Sequence, residues 1–412
     1  MCAGICPTHA IDMKLEDRGI YTPDLISAKC NECSLCVKVC PSVEFEQTLL
    51  DSFVFGEEIR RKEDETLLGH HMKCYVGYSL DDNIRWGAAS GGLVTTLLIL
   101  ALEEGIIQGA LVTRFNAKTL RTEPFIARTK EEIVSAMTSK YAPAPVGAKI
   151  KELGKKVKGK IAVVGLPCHI HGIRKAEINN EYLRNIVVLH FGLMCSGVPT
   201  MLGTHFLLDV LGMHNKEISE VRYRGEGWPG YFFVKLKNGV QKAVPLSKYS
   251  RVIRAFLHLP CLICWDFTNE YSDASFGDAF WIKDERRLGV SVIISRTQIA
   301  DQLLERAVAR GMVKLTEVSP YEVIAAKKGN LDYAKKNLNL KISLLKALGV
   351  RSPILKNMGS LSRFKLSSAL KLILMFGRYL FLSNQFVMKT IYCPPLLSIL
   401  RRMLEIDERT NS

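Results

Sequence analysis

The N-terminus carries neither a positively charged opening nor an apolar core of the kind a secretory leader needs, which argues against export. That absence bears on the twelve cysteines, because a disulfide framework belongs to oxidising compartments. Clustered Cys-x-x-Cys spacing in an unexported chain points to metal ligation instead, and a reducing cytoplasm is the expected location. No module interleaves basic residues with stacking aromatics, so nucleic acid is not an expected partner. No uninterrupted apolar run in the C-terminal part approaches the about 20 residues of a membrane-spanning helix.

What is present is ordinary for a globular protein: 412 residues, 48% hydrophobic and 24% charged, enough for two or three domains. The net charge of +15 is unevenly spread. Residues 341–412 hold 12 Lys/Arg against 3 Asp/Glu, or +9, leaving 44 against 38, or +6, for the preceding 340. Basicity is therefore mainly a property of the tail and says little about the body's substrate.

The segment "CNECSLCVKVCP" places Cys30, Cys33, Cys36 and Cys40 in the run C-x2-C-x2-C-x3-C-P. Three thiolates at this spacing wrap one cubane, and the fourth reaches the neighbouring cluster. Zinc is the competing reading, but its sites usually set two Cys pairs apart by a longer loop. The opening "MCAGICP" then reads as the end of a partner motif. Cys6 completes a set with Cys30, Cys33 and Cys36, whereas a second cluster has only Cys2 and Cys40. Either Met1 is internal to a longer motif or the first cluster is lost; the first explanation gives Cys2 and Cys40 a use. Between the motifs a short hairpin and a helical turn are expected, and the charged stretch 48–72 reads as a linker.

Further on, Ala89-Ser90-Gly91-Gly92 precedes a strongly apolar run of helical length. Small residues at a helix start leave backbone N–H groups free for a phosphate, and they also suit a plain cap with tight packing. The stretch is neither a Walker loop nor GxGxxG, and both readings stay open. "KGKIAVVGLPCHIHGIRKA" and "NIVVLHFGLMCSG" each run through a β-branched strand to a cysteine, Cys168 and Cys195. Ligands of open α/β sheets gather at the carboxyl ends of strands, so these thiols are expected to face one site. "LPCLICWDFTNEYSDASFGDAF" adds Cys261 and Cys264, making a second tetrad. Singly, Cys168 and Cys195 also fit buried structural roles. His169 and His171 flank this tetrad, to tune it, move protons or serve the helix start. Cys74 and Cys393 stand alone. Trp228-Pro229-Gly230 sits on an expected hairpin, where the indole either stacks on a planar cofactor or anchors the turn.

These motifs, in this order, resemble the β-subunit family of coenzyme F420-reducing hydrogenase and dehydrogenase. "ASGG", "VGLPCHIHGIRK", "GLMCSG", "RGEGWPG", "CLICWDFTNEYSDASFGDAF" and "GVSVIISRT" carry the likeness over roughly residues 1–300. The resemblance implies FAD with its phosphates near Ser90, Gly91 and Gly92, and a 4Fe-4S cubane on Cys168, Cys195, Cys261 and Cys264. It implies N-terminal 4Fe-4S clusters that wire the flavin to a redox partner, either a ferredoxin-like carrier or a larger complex. Coenzyme F420 is the implied substrate, with Arg174, Lys175 and Arg224 as candidates for its anionic tail. His169 and His171 depart from the glutamines of many relatives, and Phe280 from a common Trp. Other members suggest a ferredoxin-driven reductase of an organic substrate, or an electron-relay subunit without its own activity.

The expected architecture is an α/β catalytic domain over 73–335, preceded by a small α+β ferredoxin-like domain over 1–47 and the 48–72 linker. A basic, amphipathic helical tail over 336–412 is expected to lie on an anionic membrane surface, dock on a partner or pack back on the body.

Overall fold

The computed structural model describes residues 1–357 apart from 57, 58, 60, 154–158, 337, 348, 350 and 351, together with 377 and 407–409. Most of the basic tail therefore lies outside the described residues.

At the N-terminus, one-turn helices at Cys2–Ile5 and Leu35–Lys38 bracket the expected hairpin. Its strands are β1 (Ile11–Leu15) and β2 (Tyr21–Leu25), antiparallel with Ile11 opposite Leu25 and Leu15 opposite Tyr21. The expected helical turn follows at Ser27–Lys29. A short strand β3 (Glu44–Glu46) ends this segment.

The stretch 48–72 is not a solvated linker. It forms most of α1 (Gln47–Phe55) and all of α2 (Glu63–Leu68), and it is pinned to the body by charge. Arg61 donates to both carboxylate oxygens of Asp51 (2.7 and 3.2 Å) and to Glu270, whose other oxygen accepts from Lys335. Arg61 reaches Glu270 more than two hundred residues away, while Asp51, Asp64 and Glu65 are met within the stretch itself.

The body is an eight-stranded mixed sheet in the order β14-β4-β13-β12-β8-β7-β5-β6. In chain order come β4 (Lys73–Ser79), helix α3 (Leu93–Glu103), β5 (Gly109–Asn116), β6 (Arg121–Ala127), β7 (Ile161–Gly165), helix α4 (Pro167–Asn179) and β8 (Val187–Leu193). Helix α5 (Met201–Leu211) leads to the antiparallel strands β9 (Ile218–Arg222), β10 (Tyr231–Leu236) and β11 (Gln241–Pro245) of a second, smaller sheet. The chain then returns with β12 (Ala274–Asp278), β13 (Ser291–Ser295) and β14 (Val313–Val318), followed by helices α6 (Pro320–Leu331) and α7 (Leu338–Ala347). Strands β5, β7, β8 and β12 run parallel, with antiparallel strands on both flanks.

Local sequence explains these placements. Ile161, Ala162 and Val163 of β7 are all buried, as a central parallel strand covered on both faces requires. Helix α3 is apolar nearly all round and buries eight of its eleven residues, so it sits inside the molecule and not at its surface. Its Leu97, Leu100 and Ala101 pack with Ala110, Ala162, Leu189 and Phe191 of the sheet. Each such leucine contributes about 1.5–3 kcal/mol of burial. A second core under the small sheet gathers Leu207, Leu208, Phe232, Val234 and Tyr249. Beyond α7, strand β15 (Ile354–Lys356) pairs in parallel with β3, Ile354 opposite Glu44.

Candidate functional site

The carboxyl ends of β7, β8 and β12 open onto a cavity of about 460 Å³. Val164, Gly165 and Leu166 close one side, and the β8 end from Leu193 to Pro199 forms another. Helix α3 presents its first turn, with Val94, Thr95 and Leu98 on the wall. First-turn N–H groups have no partner within their own helix and carry the positive end of the helix dipole. Charged lining residues are Lys140, Arg224, Arg254 and Lys327 against the single carboxylate of Asp278. An elongated anion with apolar rings suits such a wall.

A smaller space of about 220 Å³ adjoins it, lined by Cys195, Cys261, Cys264, Tyr333 and Asn330 among others. The two cavities share Cys195, Ser196, Arg254, Phe267 and Asn330. Cys168 lies within electrostatic reach of Cys195, Cys261 and Cys264, so the fold gathers all four predicted thiols. Cys168 is exposed and the other three are half-buried, and partial desolvation by the surrounding protein pushes the Cys168, Cys261 and Cys264 thiols up to about 12 and Cys195 well above its ordinary range. Thiolates in such a place need a cation to hold them ionised. Backbone N–H groups already point at the sulfurs: Gly197 to Cys195 Sγ and Val198 to Cys261 Sγ, both 3.4 Å. Gly197 achieves this with φ 117°, a backbone shape that favours glycine. Among the described residues no three His, Cys, Asp or Glu side chains converge on a single-ion site. Cys195, Cys261 and Cys264 line one space and Cys168 lies within electrostatic reach of them, and an all-sulfur set of this kind fits an iron–sulfur cluster better than one zinc ion.

At the N-terminus, Cys30 and Cys33 are exposed while Cys2, Cys6, Cys36 and Cys40 are half-buried. The Ala10 N–H donates to Cys6 Sγ (3.3 Å) and the Glu32 N–H to Cys30 Sγ (3.4 Å). Hydrogen bonds from Thr8 and Ala10 lower the Cys6 thiol against a raising effect of burial. Glu32 and Ser34 adopt left-handed backbone (φ 57° and 60°), which curls the loop between the cysteines.

Other predicted residues take different places. Ser90 and Gly91 do not line the large cavity. The Ser90 hydroxyl donates to Val290 O (2.9 Å) and the Gly91 N–H to Ser291 Oγ (2.9 Å). Gly92 has φ 77° and caps α3, so the segment sets the helix whose next turn reaches the cavity. Trp228 stands behind the wall: its Nε1 donates to Asp278 (3.1 Å) and its ring packs on Phe280, 5.0 Å between centroids. Asp278 and Phe280 are the lining residues there. The stretch "GEGWPG" spells G-x-G-x-x-G, yet it joins two antiparallel strands, not a strand to a helix.

Arg174 is spent on Glu177, Asp273 and Tyr271 O, and Lys175 on the carbonyls of Cys40 and Glu44. Neither lines the large cavity. Arg224 does, with its guanidinium forked onto Asp278 at 2.8 and 3.0 Å. Sequence reading missed Lys140, Arg254 and Lys327, which lie on a loop, at the start of a short turn and within α6, with no motif around them. His169 lines the cavity; burial pushes it down to about 4, and its Nδ1 accepts from the Leu166 N–H, so the neutral ring carries its proton on Nε2. His171 is structural: its Nε2 meets Asp266 at 2.8 Å and its ring stacks on Trp265. Cys74 belongs to the β4 core. Cys393 lies outside the described residues.

Comparison with known proteins identifies the family. Residues 74–151 match the family described as coenzyme F420 hydrogenase/dehydrogenase, beta subunit N-term, and 158–321 match the corresponding C terminus. Residues 1–43 match a 4Fe-4S dicluster domain. The coenzyme F420 hydrogenase subunit beta of Methanosarcina barkeri is 28% identical over 68% of this chain and 91% of its own. The coenzyme F420-dependent sulfite reductase of Methanocaldococcus jannaschii is 25% identical over 82% of this chain and 50% of its own. A chain in the F420-reducing [NiFe] hydrogenase complex from Methanosarcina barkeri superposes with a TM-score of 0.56, covering 71% of this chain and 98% of that one. At 24% identity that likeness is one of fold. The motifs, the mixed sheet and both halves of the family match coincide, and the chain belongs to the β-subunit family of coenzyme F420-reducing hydrogenase and dehydrogenase.

Proposed function

We propose that this chain is an F420-linked iron–sulfur flavoprotein that passes electrons between reduced coenzyme F420 and a one-electron partner. The observation that carries the reading is the shared wall: the cationic cavity and the thiol-lined space have Cys195 and Arg254 in common. A flavin bound in the larger cavity supplies the exchange between a two-electron hydride donor and single electrons.

The residues of the chain do the binding and the positioning. The α3 N-terminus and the basic wall hold the phosphates of FAD and the anionic tail of F420. Leu98, Val112, Ile133 and Leu193 supply apolar surface and keep water out. The His169 Nε2–H offers a neutral donor beside Cys168. Cys168, Cys195, Cys261 and Cys264 hold one 4Fe-4S cluster, and Cys6, Cys30, Cys33 and Cys36 another, with Cys2 and Cys40 available to a third. The exposed Cys30–Cys33 loop is the side from which a partner subunit or carrier is served. Lys140 is held on the Ala136, Met137 and Thr138 carbonyls and lowered to about 7 by burial, and Arg224 is paired with Asp278, so Arg254 and Lys327 supply the charge that weighs against a purely apolar substrate.

The test is anaerobic. The full chain is loaded with iron, sulfide and FAD, mixed with reduced F420, and followed at the oxidised-flavin absorbance. Rapid bleaching followed by cluster reduction is the expected result. Flavin that stays oxidised with reduced F420 but bleaches with reduced ferredoxin overturns the reading in favour of a ferredoxin-driven reductase.

A further inference from the structure

Lys341 lies on α7, beyond the last residue of the family match at 321. Its side chain has no exposed surface, and among the described residues its Nζ is the one buried lysine amine without a hydrogen-bond partner. The amine sits 3.8 Å above the ring of Tyr333. Tyr333 lines the thiol-walled space, and its hydroxyl donates to Leu262 O (2.9 Å) inside the Cys261–Cys264 segment. Burial pulls the Lys341 ammonium down and Cys264 opposes this pull, the balance lying at about 7. The action is mutual, since Lys341 lowers the Cys264 thiol against a larger effect of burial.

Nearby buried cations are otherwise engaged. Lys335 binds Glu270 and Thr66 O. Arg296 binds Ser275 and the carbonyls of His70 and Thr268. A buried, unpaired ammonium is strongly unfavourable unless opposite charge is supplied. Four thiolates around a cubane carry net negative charge, and net charge is one of the quantities that set a cluster's potential.

We infer that Lys341 is the counter-charge of the cluster held by Cys168, Cys195, Cys261 and Cys264, a positioning residue that raises that cluster's affinity for an electron. The inference rests on the four-thiolate reading above. It places one corner of the cluster's environment in a segment outside the matched family domain.

The experiment uses the full chain reconstituted with iron and sulfide, titrated by redox mediators and read by electron paramagnetic resonance. Lys341→Met is expected to make the catalytic-domain cluster at least tenfold harder to reduce, which is about 59 mV for one electron. Lys341→Arg is expected to stay near the wild type, and the N-terminal signal serves as an internal control that does not move. An unshifted potential with full iron content, or an equal shift of both clusters, overturns the inference. Should Lys341→Met lose the cluster, retention in Lys341→Arg supports a requirement for charge, and loss in both overturns it in favour of packing. Wild-type chain that takes up no iron at these four cysteines sinks the cluster reading itself, which is a distinct outcome.

Discussion

At the scale of single residues, the interior is organised by charges that find each other across long stretches of sequence. Asp273 shows the pattern. Its carboxylate accepts from the His190 N–H (2.6 Å) and meets Arg174 at 3.0 Å. Burial pushes this carboxyl up, but Arg174 and His190 hold it well below the usual range. A carboxyl depressed on folding contributes stability that is complete above its unfolded value near 4 and is lost as pH falls through the folded value. Asp273→Asn is expected to cost about 1–3 kcal/mol at pH 7, since Arg174 and His190 each lose one ionic partner but keep Glu177. Urea titrations at pH 7 and below 5 check this, with a shallower acid decline expected in the variant. The same pairs explain what the sequence hides. Cysteine spacing is local and strand ends are predictable, so the tetrad is legible from residues 168, 195, 261 and 264. An arginine such as Arg174 looks free until a partner 99 positions away is brought beside it.

At the scale of elements, "ASGG" announces a helix start correctly but not why its glycines are needed. A Cβ on Gly91 would lie 2.6 Å from Gly77 O and 2.9 Å from Ser291 N, both backbone atoms of neighbouring strands. The residue is small because β4 and β13 approach it, a reason that depends on tertiary neighbours. Gly91→Ala is expected to lose about 1–3 kcal/mol through overpacking, with the helix retained. Thermal unfolding followed by circular dichroism measures both at once. Gly92 has a different constraint, a left-handed backbone at the cap of α3. The strands β7 and β8 were easier to foresee, because their β-branched runs need no partner to be recognised.

At the scale of the whole molecule, the 48–72 stretch shows how composition misleads. Its charges suggest a solvated tether, yet Arg61 joins Asp51 to Glu270 at the interior. Arg61→Ala leaves Asp51 to the Tyr271 hydroxyl and Glu270 to Lys335, and a loss of about 1–3 kcal/mol is expected. Limited proteolysis should then cut near residues 56–62 at denaturant concentrations where the wild type resists. An unchanged cleavage rate would show that apolar packing of Leu50 and Leu68 fastens these helices without help from charge.

The parallel pairing of β15 with β3 sets a schedule as well as a shape. Residue 354 lies opposite residue 44, so the ribosome has made most of the protein before β3 gains this neighbour. Until then β3 offers an open edge, and open edges invite pairing with other chains. Contacts of such long sequence separation also form late and slowly. During synthesis, the thiol-rich N-terminal segment thus emerges well before the strand that borders it.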